Sequence, residues 1–186
     1  MRTLDAGTAE REGRVVPWLA MALVEGRPRR VLLRELGSLP EQLCRHVAHE
    51  IAAALEAIHD ARVVHRDLTP ENVLITPDHV VKVMDLGVAL AHGEALRLSR
   101  TGEFSGTLLY SAPEQFEDEA GADPRSDLYA LGLVLFELAA GRPPISTLNA
   151  ARLVHRRLNE EPPRVGTLDP QISPFYEELV LSLIHI

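Results

Sequence analysis

HRDLTPEN (residues 65–72) is the stretch of the 186-residue sequence that decides the fold. Two short apolar runs flank a turn after it, so residues 73–84 predict a β-hairpin. The hairpin would bring Asn72 close to Asp85, and Asp67 can converge on the same point from the preceding loop. Three oxygen-bearing side chains without a Cys or His cluster suit Mg²⁺ rather than zinc. Protein-bound Mg²⁺ usually completes its shell with phosphates and water, so the pattern suggests phosphoryl transfer.

Composition and charge narrow the class of protein. The chain is 46% apolar and 25% charged, which is typical of one globular domain, and its net charge of -8 argues against nucleic acid as a partner. The single cysteine, Cys44, excludes a disulfide within these residues and is expected to be a small buried apolar side chain. The N-terminus lacks a signal-peptide pattern, and the longest apolar run, residues 128–135, is too short to span a bilayer. We expect a cytoplasmic protein with no membrane segment.

The N-terminal part predicts strands followed by a long helix. Residues 15–24 are strand-like, residues 3–7 would pair with them, and the polar residues 8–14 would form the connecting loop. The sequence from Ser38 to Glu41 has the pattern of a capping box, in which Glu41 would reach back to the Ser38 backbone. After it, apolar residues recur at helical spacing and predict one buried helix face, made of Leu43, Val47, Ile51, Leu55 and Ile58.

The rest of the chain predicts further helices and one long loop. Residues 88–111 lack a clear period, which is typical of a surface loop, and loops of this length are usually functional. A helix over residues 127–140 would be capped by Ser126 or Asp123 and ended by Gly141. Residues 150–160 and 173–184 are also predicted to be helical. Four histidines lack metal-ligand spacing and are expected at the surface: His46, His49, His59 and His92.

Several motifs, in matching order and spacing, resemble those of eukaryotic-like (Hanks-type) protein kinases. HRDLTPEN resembles the catalytic loop, and two later tripeptides resemble the DFG and APE elements: Asp85-Leu86-Gly87 and Ala112-Pro113-Glu114. Gly106-Thr107 and the run SDLYALGLVLFELAAGRPP look like the bacterial serine/threonine kinase branch. The resemblance covers roughly residues 4–183. It implies an α+β, kinase-like fold, in which residues 1–24 form part of an N-lobe sheet and residues 25–186 form a mainly helical C-lobe.

The resemblance also implies the residues of a catalytic centre. Asp67 would accept the proton of the substrate hydroxyl, Asn72 would bind one Mg²⁺, and Asp85 would bridge the metals to the phosphates of ATP. Arg66 would pair with a phosphate on the activation loop. Thr107 would hydrogen-bond Asp67 where that loop meets the protein substrate. The candidate phosphorylation sites in the loop are Thr101, Ser99 and Ser105.

Adenine binding and support of the loop are implied in the same way. Met21 resembles the gatekeeper, Ala22 and Val24 would offer hinge backbone groups to adenine, and Leu74 would pack beneath the ring. The resemblance implies structural roles for three further residues: His65, Glu114 and Asp127. Asp127 would hold the catalytic-loop backbone, and Glu114 normally pairs with a later arginine.

Two features depart from the family pattern. Thr69 stands where serine/threonine kinases usually have a lysine beside the base, so charge stabilisation is weaker there. The 186 residues also contain no G-x-G-x-x-G, and the one lysine, Lys82, lies in the predicted hairpin rather than where it could grip phosphates. We therefore expect a fragment of a bacterial serine/threonine kinase, with little activity of its own.

Two other functions stay open at this point. One is a non-catalytic pseudokinase scaffold, against which the retention of all three catalytic polar residues argues. The other is a small-molecule phosphotransferase, against which the stretch from residue 99 to residue 114 argues, because it favours protein substrates. One stability expectation follows from a truncated domain: the apolar faces of the helix over residues 43–58 and of the strand around Trp18 should be partly uncovered.

Overall fold

The computed structural model of the protein describes residues 3–24, 26–28, 37–86, 106–117, 123–147 and 149–186. Within these residues two small antiparallel sheets accompany a body of helices. This arrangement agrees with the predicted α+β class. None of the described helices is long and apolar enough to cross a membrane.

The first sheet is a hairpin of β1 (Thr3–Arg11) and β2 (Arg14–Met21). Its turn consists of Glu12 and Gly13, with φ of 53° and 73°. A two-residue turn with positive φ at both positions matches the right-handed twist of paired strands. The prediction of a loop over residues 8–14 is therefore wrong, because the strands pair up to Arg11 and Arg14.

The second sheet has the order β3-β4-β5, with all neighbours antiparallel. It consists of β3 (Arg27–Pro28), β4 (Val73–Ile75) and β5 (Val81–Val83). The turn between β4 and β5 closes because Thr76 exchanges backbone and side-chain hydrogen bonds with Val80. The hairpin predicted over residues 73–84 is present.

Helix α1 spans Glu41–Asp60, and its buried face differs by one residue from the prediction. Cys44 is fully buried, as are Val47, Ile51 and Leu55, whereas Leu43 is 48% exposed. The predicted face is therefore wrong at its first position, Leu43. The separate prediction that Cys44 is buried is confirmed. The same burial contradicts the expectation that this helix face would be uncovered.

The predicted capping box at the start of α1 is also wrong. The helix begins at Glu41 with Pro40 as its N-cap, so Glu41 is not placed to reach back to Ser38. Its carboxylate instead accepts hydrogen bonds from the Ser173 backbone N–H and hydroxyl, both at 2.7 Å. Glu41 thus joins the start of α1 to a residue 132 positions later in the chain.

The remaining helices are α2 (Glu114–Glu117), α3 (Pro124–Ala140), α4 (Ala150–Asn159) and α5 (Pro174–Ile184). Asp123 caps α3 by accepting from the Arg125 N–H at 2.7 Å, and Gly141 ends it in the left-handed conformation. Nearly every side chain of α3 is buried, so this helix is the centre of the core. Helices α1 and α5 pack against it.

Candidate active site

The loop of residues 65–72, which is called the catalytic loop below after the motif that it resembles, is anchored to α3 through one buried carboxylate. Asp127 is 1% exposed, and it accepts hydrogen bonds from the backbone N–H groups of His65 and Arg66, each at 2.8 Å. His59, at the end of α1, contacts the same carboxylate through Nε2 at 2.7 Å. One side chain of the central helix therefore fixes the path of the backbone that enters the loop.

His65 links the catalytic loop to the hairpin β4–β5. It is fully buried, its Nε2 lies 2.9 Å from the Met84 carbonyl, and its Nδ1 lies 3.3 Å from the Asp67 N–H. A carbonyl only accepts and an N–H only donates, so these contacts fit a neutral imidazole with its proton on Nε2. The backbone on both sides of the site is thereby held by one ring.

Asp67 and Asn72 form the centre of the site. The Asn72 side-chain amide donates to the Asp67 carbonyl at 2.7 Å and to Asp67 Oδ2 at 3.0 Å. Asp67 Oδ1 is buried and has no hydrogen-bond partner among the described residues. Burial raises the pKa of Asp67 above its ordinary value of 3.8, and the nearby Asp85 acts in the same direction, while the bond from Asn72 opposes them.

Asp85 follows the end of β5 and is close to the Asp67–Asn72 pair. The Met84 N–H donates to the Asn72 carbonyl at 2.8 Å, so Asp85 is one residue from a direct backbone link to Asn72. Asp85 has a φ of 53°, and Arg66 in the catalytic loop has a φ of 66°. Non-glycine residues with positive φ cost energy and often occur at functional sites, which is consistent with a site at this position.

The donor set suits a hard cation that keeps ligands of its own. Asn72 uses its amide nitrogen within the loop, which leaves its amide oxygen for a cation, and the Asp85 carboxylate is a further hard oxygen donor. In the described part of the chain, no group of three His, Cys, Asp or Glu side chains could hold a metal by itself. Mg²⁺ fits such a site because it is bound by few protein groups and completes its shell with phosphate and water.

The expected adenine side lies where β3 meets β4. Gly26 approaches Leu74 so closely that an added Cβ would lie 3.4 Å from the Leu74 side chain. The pairing of β3 with β4 thus brings the chain that follows Ala22 and Val24 against Leu74. Met21, the predicted gatekeeper, ends β2 and is 38% exposed.

Thr69 and Arg66 are held within the catalytic loop. Thr69 is 4% exposed, and its carbonyl accepts from the Asn72 N–H at 3.1 Å. Arg66 has a buried Nε without a hydrogen-bond partner among the described residues. Thr107 belongs to a 3₁₀ helix over Gly106–Leu109. The three predicted phosphorylation sites lie outside the described residues: Thr101, Ser99 and Ser105.

The segment around Glu114 is tied both to α3 and to the catalytic loop. Glu114 accepts a hydrogen bond from the buried hydroxyl of Ser126. Gln115 accepts from the Ala112 N–H at 2.8 Å and donates to the Arg66 carbonyl at 3.2 Å. Residues 112–115 and the catalytic loop are therefore joined by one amide side chain.

Sequence reasoning missed three residues of this network: His59, Gln115 and Ser126. His59 was expected at the surface, which is wrong, because its side chain is only 18% exposed and contacts Asp127. Its place at the end of α1, six residues before His65, was the available signal. The bond from Gln115 to the Arg66 carbonyl and the bond from Ser126 to Glu114 gave no signal in the sequence, because they join residues 49 and 12 positions apart.

Comparison with known proteins places the chain in a family. The sequence model of the protein kinase domain matches residues 7–184. The chain belongs to the protein kinase domain family. Mycobacterium tuberculosis serine/threonine-protein kinase PknL is 38% identical over 164 residues, which are 88% of this chain and 41% of that protein.

Two other bacterial kinases show the same partial coverage. Streptomyces coelicolor PksC is 35% identical over 181 residues, covering 95% of this chain and 32% of that protein. Mycobacterium leprae PknB is 32% identical over 158 residues, covering 85% of this chain and 25% of that protein. This kinase domain chain thus spans less than half the length of the curated relatives that it matches.

Proposed function

We propose that the whole protein transfers the γ-phosphate of ATP to serine or threonine hydroxyls of protein substrates. The observation that carries the proposal is the buried, unpartnered Oδ1 of Asp67, beside Asn72 and one loop from Asp85. A buried acceptor without a partner is costly unless a ligand supplies one. A substrate hydroxyl would supply the missing hydrogen bond. The names of the relatives, all serine/threonine kinases, support the same reaction.

The residues would divide the work as follows. Asp67 orients the attacking hydroxyl and accepts its proton, for which a poorly hydrated carboxylate with a raised pKa is suited. Asn72 and Asp85 would hold Mg²⁺, and the bound ion would offset negative charge on the phosphates. Asp127 and His65 keep these groups in place through the backbone.

Beside the proposed base, Asp67, the catalytic loop offers a hydrogen-bond donor to the substrate but no positive charge. Thr69 can donate a hydrogen bond but carries no charge, and it is buried within the loop. Nothing in the 186 residues supplies a G-x-G-x-x-G loop or a second lysine. We therefore propose that this chain by itself turns over ATP very slowly, although its catalytic carboxylates are retained.

A scaffold function is less well supported than catalysis. A scaffold needs the fold but has no use for an unpartnered carboxylate oxygen in its interior. A small-molecule phosphotransferase is also less well supported, because Gln115 and Glu114 join the segment before α2 to the catalytic loop and α3. That segment is the part expected to receive a polypeptide.

The experiment uses a chimaera. The N-terminal segment of a bacterial serine/threonine kinase, carrying a G-x-G-x-x-G loop and a strand lysine, is joined ahead of this chain. Transfer of label from γ-³²P-ATP to dephosphorylated casein is then measured with Mg²⁺. Asp67→Asn is expected to lower the rate by about 10²–10⁴-fold. The matched control is Asp78→Asn, an exposed aspartate in the β4–β5 turn, which should leave the rate unchanged. Equal rates for the two variants would refute the proposed role of Asp67.

A further inference from the structure

A buried arginine side chain contacts the backbone of residues 109–111, the segment before α2. Arg157, on α4, is 9% exposed. Its Nη2 donates to the Leu109 carbonyl at 2.7 Å, and its Nη1 donates to the Ser111 carbonyl and to the Tyr129 hydroxyl, each at 3.1 Å. Three acceptors from the segment and from α3 thus meet at one guanidinium.

The groups that accept hydrogen bonds from Arg157 are all neutral. Among the described residues its guanidinium forms no ion pair with a carboxylate, and its buried Nε has no hydrogen-bond partner. Its guanidinium carbon lies over the Tyr129 ring, 5.4 Å from the centroid. A buried cation without a counter-ion is costly, so its contacts with neutral acceptors and an aromatic face must be well aligned. Such an arrangement points to a geometric role for the fork-shaped donor group.

The segment depends on side chains for its conformation. The 3₁₀ helix ends at Leu109 and α2 begins at Glu114, and the carbonyls of Ala112 and Pro113 already accept hydrogen bonds from backbone N–H groups of α2. Residues 110 and 111 belong to neither helix, and the Ser111 carbonyl accepts from Arg157. Leu108 is 1% exposed and belongs to a small apolar cluster with Leu153 of α4. Tyr110 donates its hydroxyl hydrogen to Glu137 of α3. Helix α4 therefore contacts the segment through apolar packing and, through Arg157, by binding its carbonyls.

We propose that Arg157 is a positioning residue, which holds residues 109–111 in the conformation that receives the serine- or threonine-bearing segment of a protein substrate. The inference rests on the proposed function, because only in a protein kinase would this segment, between Thr107 and Ala112, face a polypeptide acceptor. Arg157 does not touch the reacting atoms. It acts through the two carbonyl groups that it binds.

The test compares four variants of the 186-residue chain. Arg157→Gln removes the cation, and Arg157→Lys keeps the charge but cannot reach acceptors in two directions. Tyr129→Phe removes one acceptor and keeps the ring. The matched control is Arg156→Gln, because the adjacent Arg156 pairs with Glu160, the C-cap residue of α4, rather than with the segment.

The first readout is amide hydrogen exchange in fragments that cover residues 108–117. We expect exchange there to rise about tenfold in Arg157→Gln and Arg157→Lys and by less in Tyr129→Phe, while α1 and α3 keep the protection of the wild type. Arg156→Gln should match the wild type throughout. Unchanged exchange in Arg157→Gln, or an equal rise in every helix, would overturn the positioning role.

The second readout is casein binding, measured only on variants that circular dichroism shows to be folded, so that unfolding does not account for a change. Binding of the chain to immobilised dephosphorylated casein should weaken at least about fivefold in Arg157→Gln, while Arg156→Gln binds as the wild type does. Equal casein binding by Arg157→Gln and the wild type would overturn the inference. A wild-type chain that binds no casein would overturn it too. Failure of the proposed function is seen separately, as a chimaera whose transfer is insensitive to Asp67→Asn.

Discussion

Strand β2 of the β1–β2 hairpin and helix α3 are both apolar in sequence, yet only the helix is packed. Val15, Trp18 and Leu19 of the hairpin are 74%, 42% and 55% exposed, whereas Phe136 in α3 is 0% exposed. Helix α3 is covered by α1 and α5, while the hairpin strands mainly contact each other. An apolar run thus contributes to stability only where another element covers it, and the stability of the described residues resides in the helices.

The largest expected effect separates the two regions directly. Phe136→Ala should lower the free energy of unfolding by about 3–5 kcal/mol, because it leaves a cavity in the core around α3. Trp18→Ala should cost less than about 1 kcal/mol, because that ring lies against Gly7 of the paired strand and is already in contact with water. Urea denaturation of both variants gives the comparison. Equal losses would contradict it.

The next effect tests the anchor of the catalytic loop. Asp127→Asn should cost about 1–3 kcal/mol, because the buried acceptor of two backbone N–H groups is replaced by an amide that can satisfy fewer of them. The control is Asp60→Asn, an exposed aspartate at the end of α1, which should change stability by less than about 0.5 kcal/mol. Denaturation midpoints that do not differ would show that the loop is held by other contacts.

A smaller effect concerns pH and has a definite sign. Burial raises the pKa of Asp67 above 3.8, so the folded state binds the proton more tightly than the unfolded state does. The ionised carboxylate therefore opposes folding once the pH is above the raised pKa, and this cost disappears as the pH falls below 3.8. Asp67→Asn should be more stable than the wild type at neutral pH, with the gain shrinking in acid. A gain that grows in acid would reverse the assigned sign.

The smallest effect on stability belongs to the exposed face of the hairpin. The double variant Val15→Thr with Leu19→Thr should change the free energy of unfolding by less than about 0.5 kcal/mol, because both side chains are in water. It should nevertheless reduce self-association, since exposed apolar patches favour it. Light scattering over a concentration series measures this. If the double variant self-associates as strongly as the wild type, the association occurs through another surface. The strand around Trp18 is exposed in the structure, as expected from the sequence.

Sequence reasoning reached the motifs and the helices but not the contacts between distant residues. The hairpin after Asn72 and the end of α3 at Gly141 were predictable, because turn residues and apolar periods are local signals. The partner of Glu41 was not predictable, because Ser173 approaches it only when α1 and α5 both pack against α3. The shift from Leu43 to Cys44 has a similar cause, since the direction of a helix face depends on what covers it.

The same limit applies to the site. HRDLTPEN and the later aspartate identified Asp67, Asn72 and Asp85 as a group, because a short hairpin fixes the distance between its ends. The sequence could not give the contact of His59 with Asp127 or the fork of Arg157, which depend on how helices lie against each other. Those contacts join elements far apart in sequence. They hold the catalytic loop and the segment of residues 109–111 in place.

The central claim is that the 186 residues contain the proposed catalytic carboxylates but no groups that bind the phosphates of ATP. Its most direct test is the kinase activity of the 186-residue chain itself. The measurement is transfer from γ-³²P-ATP to casein with Mg²⁺, with Asp67→Asn in parallel. We predict no rate above that of Asp67→Asn. Turnover by the unmodified chain that Asp67→Asn abolishes would contradict the account.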